Sequence, residues 1–99
     1  MLKFQNKVLE TVSKVPKGKV TTYSEIARAI GNPRAARAIG TALSKNPNPI
    51  QVPCHRVVKS NGEIGGYKLG TRKKTQLLIS EGVEVKKGKI DFEKYLFCF

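Results

Sequence analysis

Phe4, Val8, Val12 and Val15 recur three or four positions apart, and this stripe predicts a first helix with one buried face. Pro16 to Lys19 reads as a turn, and Val20-Thr21 is too short for more than an extended link. Thr22 and Glu25 stand at capping-box spacing, so the Thr22 hydroxyl is expected to accept from the Glu25 amide while Glu25 reaches back. Ile26, Ala27 and Ile30 make the inner face of a short second helix, and Gly31 supplies its left-handed stop. Asn32-Pro33 restarts the chain as a cap followed by a proline, which predicts a third helix from Pro33 to Lys45 packing through Ala35, Ile39, Ala42 and Leu43. Two helices so closely joined make a helix-turn-helix pattern, although αα-hairpins without any nucleic-acid role share it.

The second half is less regular. Asn46-Pro47-Asn48-Pro49 cannot continue a helix and reads as a stiff loop, and Ile50 to Val58 is an apolar, extended stretch interrupted by Pro53. Ser60-Asn61-Gly62 reads as a hairpin-like turn, and Gly65-Gly66 permits close backbone approach. A fourth helix is expected from Thr71 to Glu81, carrying Leu77 and Leu78 and ending at Gly82. Val83 to Phe99 alternates weakly and is expected to cover the core. There is no internal repeat and no low-complexity linker.

At 99 residues and 39% hydrophobic the chain suits one modest core, and a single domain over 1–99 is expected. Nothing approaches the ~20 consecutive apolar residues of a membrane span. The first residues are charged and polar where a secretory signal needs an apolar run, so the expected location is cytoplasmic, or nuclear in a eukaryote. Charge changes the picture more. Nineteen Lys and Arg against seven Asp and Glu give a formal charge of +12, a field that attracts polyanions. Nucleic acid is the leading partner, and the helix-turn-helix pattern gains weight. Two cysteines, Cys54 and Cys98, are a poor disulfide framework, and with the single His55 they fall short of the about four ligands of a structural zinc site. No metal is expected.

Pro53-Cys54-His55-Arg56 is where chemistry is concentrated. A thiol beside an imidazole and a guanidinium favours the nucleophilic thiolate, and Pro53 limits the local backbone. Neighbouring side chains on a strand point to opposite faces, so contact between Cys54 and His55 needs a local turn or a bridging water. Taken alone the pair also fits a buried, inert cysteine beside an incidental histidine. Cys98, in an apolar tail, reads as a packed cysteine rather than a second acceptor.

Pro53-Cys54-His55-Arg56-Val57-Val58 resembles the active-site signature of the O6-alkylguanine-DNA alkyltransferases, also called methylated-DNA–protein-cysteine methyltransferases. Thr22-Tyr23, the run from Gly31 to Gly40, Asn46-Pro47, Gly66-Tyr67 and Glu81-Gly82 fall in the same order and spacing, so the resemblance covers about residues 4 to 85. It implies that Cys54 accepts the alkyl group, that His55 takes the thiol proton through a water, and that Glu81 orients His55. It implies that Asn46 braces the active-site loop and that Tyr23 pushes on a phosphate and hydrogen-bonds the flipped guanine. Arg37 would enter the base stack when the lesion is extruded. Arg34, Ala35, Ala36, Ala38 and Gly40 would lie along the minor groove, where small side chains let a backbone approach. Tyr67, Val57, Pro49, Lys68 and Leu69 would line the guanine pocket, with Leu69 narrowing it against large adducts.

The resemblance further implies the family's C-terminal active-site domain in a stand-alone form, without the N-terminal domain that members commonly carry. The expected fold is mainly α, a small winged-helix-like domain with a helix-turn-helix and a short hairpin carrying the reactive cysteine loop. The expected function is irreversible transfer of an alkyl group, such as methyl, from O6-alkylguanine in double-stranded DNA to Cys54. It needs no cofactor, each molecule acts once, and a monomer is expected. The alternative is a non-catalytic, alkyltransferase-like lesion binder. Such proteins replace the acceptor cysteine, commonly with tryptophan, whereas this chain keeps Cys54 and has no Trp. A plain helix-turn-helix transcription factor would need no reactive thiol.

Overall fold

The computed structural model describes residues 2–45, 52–67, 69–97 and 99. Helix α1, Leu2–Val12, buries Val8 and Val12 completely. The helix stops there, and Val15 enters the interior from the turn that follows. Strand β1, Thr21–Thr22, leads directly into α2, Tyr23–Ala29. Thr22 is the cap the spacing predicts: its hydroxyl accepts the Glu25 amide at 3.0 Å. Such a cap is worth about 1 kcal/mol. The Glu25 carboxylate pairs with Arg28 at 3.2 Å instead of reaching back.

The end of α2 sets the next helix. Gly31 adopts φ +81°, and the Asn32 amide then returns to the Ala27 carbonyl at 2.9 Å. Asn32 is therefore part of the stop signal of α2 and does not cap the following helix. A further turn, closed by the Ala35 amide on the Asn32 carbonyl at 3.0 Å, carries the chain inward so that Ala35 is buried. Helix α3 begins only at Ala36 and runs to Ser44, with no side-chain cap. The expected start at Pro33 is corrected by this: three residues are used to bring Ala35 into the core.

Strand β2, Val57–Val58, pairs in parallel with β1, Thr21 opposite Val57 and Thr22 opposite Val58. Parallel neighbours need a long crossover, and α2 and α3 supply it. The expected hairpin carrying the cysteine loop is thus corrected. A tight turn does form at residues 59–63, with the Gly62 amide on the Lys59 carbonyl at 3.0 Å, but it follows the cysteine segment. Its ladder partner is the tail: Ile64 donates to Gly88 at 3.0 Å and Ile90 to Gly62 at 2.8 Å.

Helix α4, Thr71–Ser80, is capped by Glu81, and Gly82 takes φ +91°. The short α5, Phe92–Tyr95, is capped by the Asp91 carboxylate, which accepts from Glu93 at 3.0 Å. Beyond it the chain runs beside Val20, whose amide donates to Tyr95 at 2.8 Å and whose carbonyl accepts from Phe97 at 2.7 Å. One apolar cluster joins α1, α2 and α3 through Val8, Val12, Ile26, Ile39 and Leu43, and it includes Cys54 and Val57. A second joins Val20, Val58, Ile64, Leu78, Val83 and Ile90, so the tail does cover core. The cysteine lies where the first cluster reaches the surface. Among the described residues no helix is long and apolar enough to cross a membrane.

Candidate active site

Cys54, His55 and Arg56 form one 3-10 turn between Pro53 and β2. The Arg56 amide closes it on the Pro53 carbonyl at 2.9 Å, and the Cys54 amide bonds Val52 at 2.7 Å. This is the local turn that adjacent Cys and His side chains require. Cys54 is buried at the base of a pocket, while His55, 1% exposed, points to the end of α4.

There His55 Nε2 lies 3.0 Å from Glu81 Oε2. Arg56 grips the same carboxylate, Nε on Oε1 at 2.9 Å and a terminal nitrogen on Oε2 at 2.6 Å, and its other terminal nitrogen donates to the Val15 carbonyl at 2.8 Å. Burial alone would raise the Glu81 pKa, but the hydrogen bonds from Arg56 and His55 outweigh it and hold the carboxyl below its usual range. Glu81 is therefore an acceptor, and Nε2 carries the proton it accepts. Burial pushes the His55 pKa down despite the pull of Glu81, with the charges of Arg56 and Lys74 acting in the same direction as burial. A neutral imidazole with its proton on Nε2 presents a lone pair at Nδ1. That atom is buried and has no hydrogen-bond partner among the described residues. The ring of Tyr67 meets the imidazole in a T-shaped arrangement, 6.2 Å between centroids.

The pocket above Cys54 holds about 360 Å³, within the range of small-molecule sites. Among the described residues, Tyr23 from α2, Gly40, Leu43 and Ser44 from α3, and Gly66 and Tyr67 also line it. Burial, then the charge of Cys54, raises the pKa of both phenols, that of Tyr67 to about 12. Both stay protonated donors at neutral pH. Lys74 on α4 is wholly buried and donates to the carbonyls of Val57 at 2.7 Å and Gly66 at 3.0 Å. It ties the strand after the cysteine to the Gly66–Tyr67 wall. Burial brings its pKa down to about 8, against the pull of Cys54.

The structure thus brings together Cys54, His55, Glu81, Tyr23 and Tyr67, which the sequence singled out. Arg34, Arg37 and Ala38 are exposed and Ala36 and Gly40 half-buried. Ala35 and Val57 face the core instead of a groove or pocket, because the turn before α3 and the pairing of β2 point them inward. Leu69 is 47% exposed and is not among the described residues that line the pocket. Asn46, Pro49, Lys68 and Cys98 lie outside the described residues. Sequence reasoning missed the structural parts of Arg56 and Lys74. Lys74 lies one helical turn before the buried Leu78, so its place on the inner face was legible.

Residues 3–83 match the family profile described as 6-O-methylguanine DNA methyltransferase, DNA binding domain. The methylated-DNA–protein-cysteine methyltransferase of Methanothermobacter thermautotrophicus is 49% identical over 83 residues, covering 83% of this chain and 46% of that protein. The chain is similar in structure to Mycobacterium tuberculosis OGT in complex with DNA, with 45% identity and a TM-score of 0.77, over 79% of this chain and 48% of the other. It is also similar to S. pombe Atl1 in complex with damaged DNA containing O6-carboxymethylguanine, with 35% identity and a TM-score of 0.88. That match covers 98% of this chain and 96% of the other. The chain therefore spans about half the length of the methyltransferases it matches and nearly all of Atl1.

Proposed function

As the chain belongs to the 6-O-methylguanine DNA methyltransferase family through that family's DNA-binding domain, we propose that it repairs DNA by moving an alkyl group from O6-alkylguanine onto Cys54. The observation that carries this reading is the buried Nδ1 of His55, without a hydrogen-bond partner among the described residues while Glu81 holds Nε2, on the residue that follows Cys54 in the same turn. His55 takes the Cys54 proton through a water. The sulfur lone pair then attacks the O6-alkyl carbon in line, a C–S bond forms as the C–O6 bond breaks, and the electron pair returns to the guanine, which is protonated as it leaves. Tyr23 and Tyr67 donate toward the flipped base in the pocket. No cofactor enters the step.

The DNA lies along α3, in a winged-helix-like arrangement that constitutes the family's active-site domain. Arg37 fills the stack once the base is extruded. Arg34 and the exposed faces of Ala36, Ala38 and Gly40 follow the minor groove, and the charge of +12 supplies the sequence-independent affinity. The place of action is wherever such DNA is kept, cytoplasm or nucleus.

Binding without transfer is the second reading, since the chain is also similar in structure to Atl1, at a TM-score of 0.88. Intact mass after incubation with duplex DNA bearing O6-methylguanine separates the two. Transfer adds one methylene, on the peptide containing Cys54, and stops when protein and lesion have reacted in equal amounts. A protein that binds the duplex and keeps its mass is a lesion binder. Clearance of excess lesions by unmodified protein would contradict both.

A further inference from the structure

We propose that Arg56 is a positioning residue that keeps His55 unprotonated, by compensating the charge of the Glu81 carboxylate that holds the imidazole. The inference rests on the functional reading above only in giving that neutrality a use. A carboxylate facing a histidine has two effects that come together. It selects the tautomer with the proton on Nε2, which leaves Nδ1 as a base, and its negative charge stabilises the imidazolium. The second effect works against the first, because an imidazolium cannot take a proton from the thiol.

The geometry around Glu81 separates the two. Arg56 engages both carboxylate oxygens and shares Oε2 with His55 Nε2. The third bond, to the Val15 carbonyl, pins the guanidinium to the turn after α1 and leaves it little freedom to swing away. The carboxylate keeps its hydrogen bond to His55 while its charge is neutralised by a cation 14% exposed, where solvent screens the pair only weakly. Among the described residues, the other groups near His55 are Lys74 from α4, whose charge acts in the same sense as that of Arg56, the neutral ring of Tyr67, and Cys54, its neighbour in the chain. Of the two cations, only Arg56 touches the carboxylate.

His55 is the sole histidine, so its ring resonances can be followed by NMR without assignment by mutation. In Arg56→Met the imidazole titration is expected to move up by about one pH unit, the size typical of an uncompensated opposite charge within contact distance. Arg56→Gln keeps a donor for Glu81 and carries the same expectation if the Met variant does not fold. Arg56→Lys restores a charge and brings the midpoint back toward wild type. A midpoint that is unchanged or falls in the neutral variants overturns the inference. The titration needs no alkyl transfer, so it stands or falls independently of the mass shift that tests the functional reading.

Discussion

The imidazole of His55 and the carboxylate of Glu81 meet at 3.0 Å across 26 positions of sequence, one in the turn before β2 and the other at the cap of α4. Both partners have depressed pKa values, His55 from 6.5 and Glu81 from 4.5. A depressed value means that the unfolded chain binds the proton more readily, so stability rises with pH. The contribution of His55 is complete above 6.5 and is lost as pH falls through its lower folded value; that of Glu81 is lost further down, below 4.5. The melting temperature should therefore fall on acidification from about pH 7 to 5, and less so in His55→Gln. Transfer should follow the same limb, because only neutral His55 accepts the thiol proton. A His55→Gln protein with the wild-type acid profile would remove His55 from the account.

Cys54→Ala should abolish the mass gain and leave binding to alkylated duplex DNA near wild type. The thiol is one small buried group, whereas the proposed binding is spread over α3 and the basic surface. That binding should weaken with salt, log affinity falling by about 0.9 per phosphate neutralised. Transfer that persists in the variant would move the acceptor elsewhere.

Arg37 is exposed on α3 and outside the pocket lining. Arg37→Ala should slow reaction with a lesion in duplex DNA and leave reaction with the free alkylated base unchanged, since only a stacked base needs extrusion. Single-turnover rates on both substrates decide this, and equal losses would assign Arg37 to the fold.

Gly40 occupies the middle of α3 without needing a glycine's backbone freedom, and a Cβ there would sit 3.9 Å from Tyr23 Cε1, an ordinary contact. Gly40→Ala should thus stabilise the fold by about 0.5–1 kcal/mol in urea unfolding. The same methyl group enters the pocket wall, so reaction with the alkylated base should slow. A variant both more stable and equally fast would show that the small side chain serves neither pocket nor groove.

Lys74 predicts a basic-limb effect. Its pKa falls from 10.5 to about 8 on folding, chiefly through burial, so stability should rise as pH increases between those values. The rise is on the order of 3 kcal/mol. Lys74→Met should lack it and, with the Val57 and Gly66 carbonyls left without their donor, should loosen the pocket wall and slow transfer. Denaturant midpoints across that range, measured for both proteins, provide the check. A parallel rise in the variant would assign the titration to another group.

Local and short-range signals were legible in the chain itself. The apolar spacing of Phe4, Val8 and Val12, the Thr22 cap, the Gly31 and Gly82 stops and the Pro53–Val58 motif each depend on residues within a few positions of one another, where backbone geometry leaves few alternatives. They determined the helices, the candidate nucleophile and the family. Tertiary structure decided what depends on distant partners. It made β2 a parallel neighbour of β1 instead of one arm of a hairpin, because the unpaired edge of Thr21–Thr22 lay beside it after the helical crossover. It delayed α3 to Ala36, because burying Ala35 outweighed a cap at Asn32. It also turned Arg56 and Lys74, two cations among nineteen, into internal donors, Arg56 partly and Lys74 wholly buried. A lysine or arginine is assigned to a carboxylate or a carbonyl only when folding brings that oxygen within hydrogen-bond reach and excludes the water that would otherwise satisfy it.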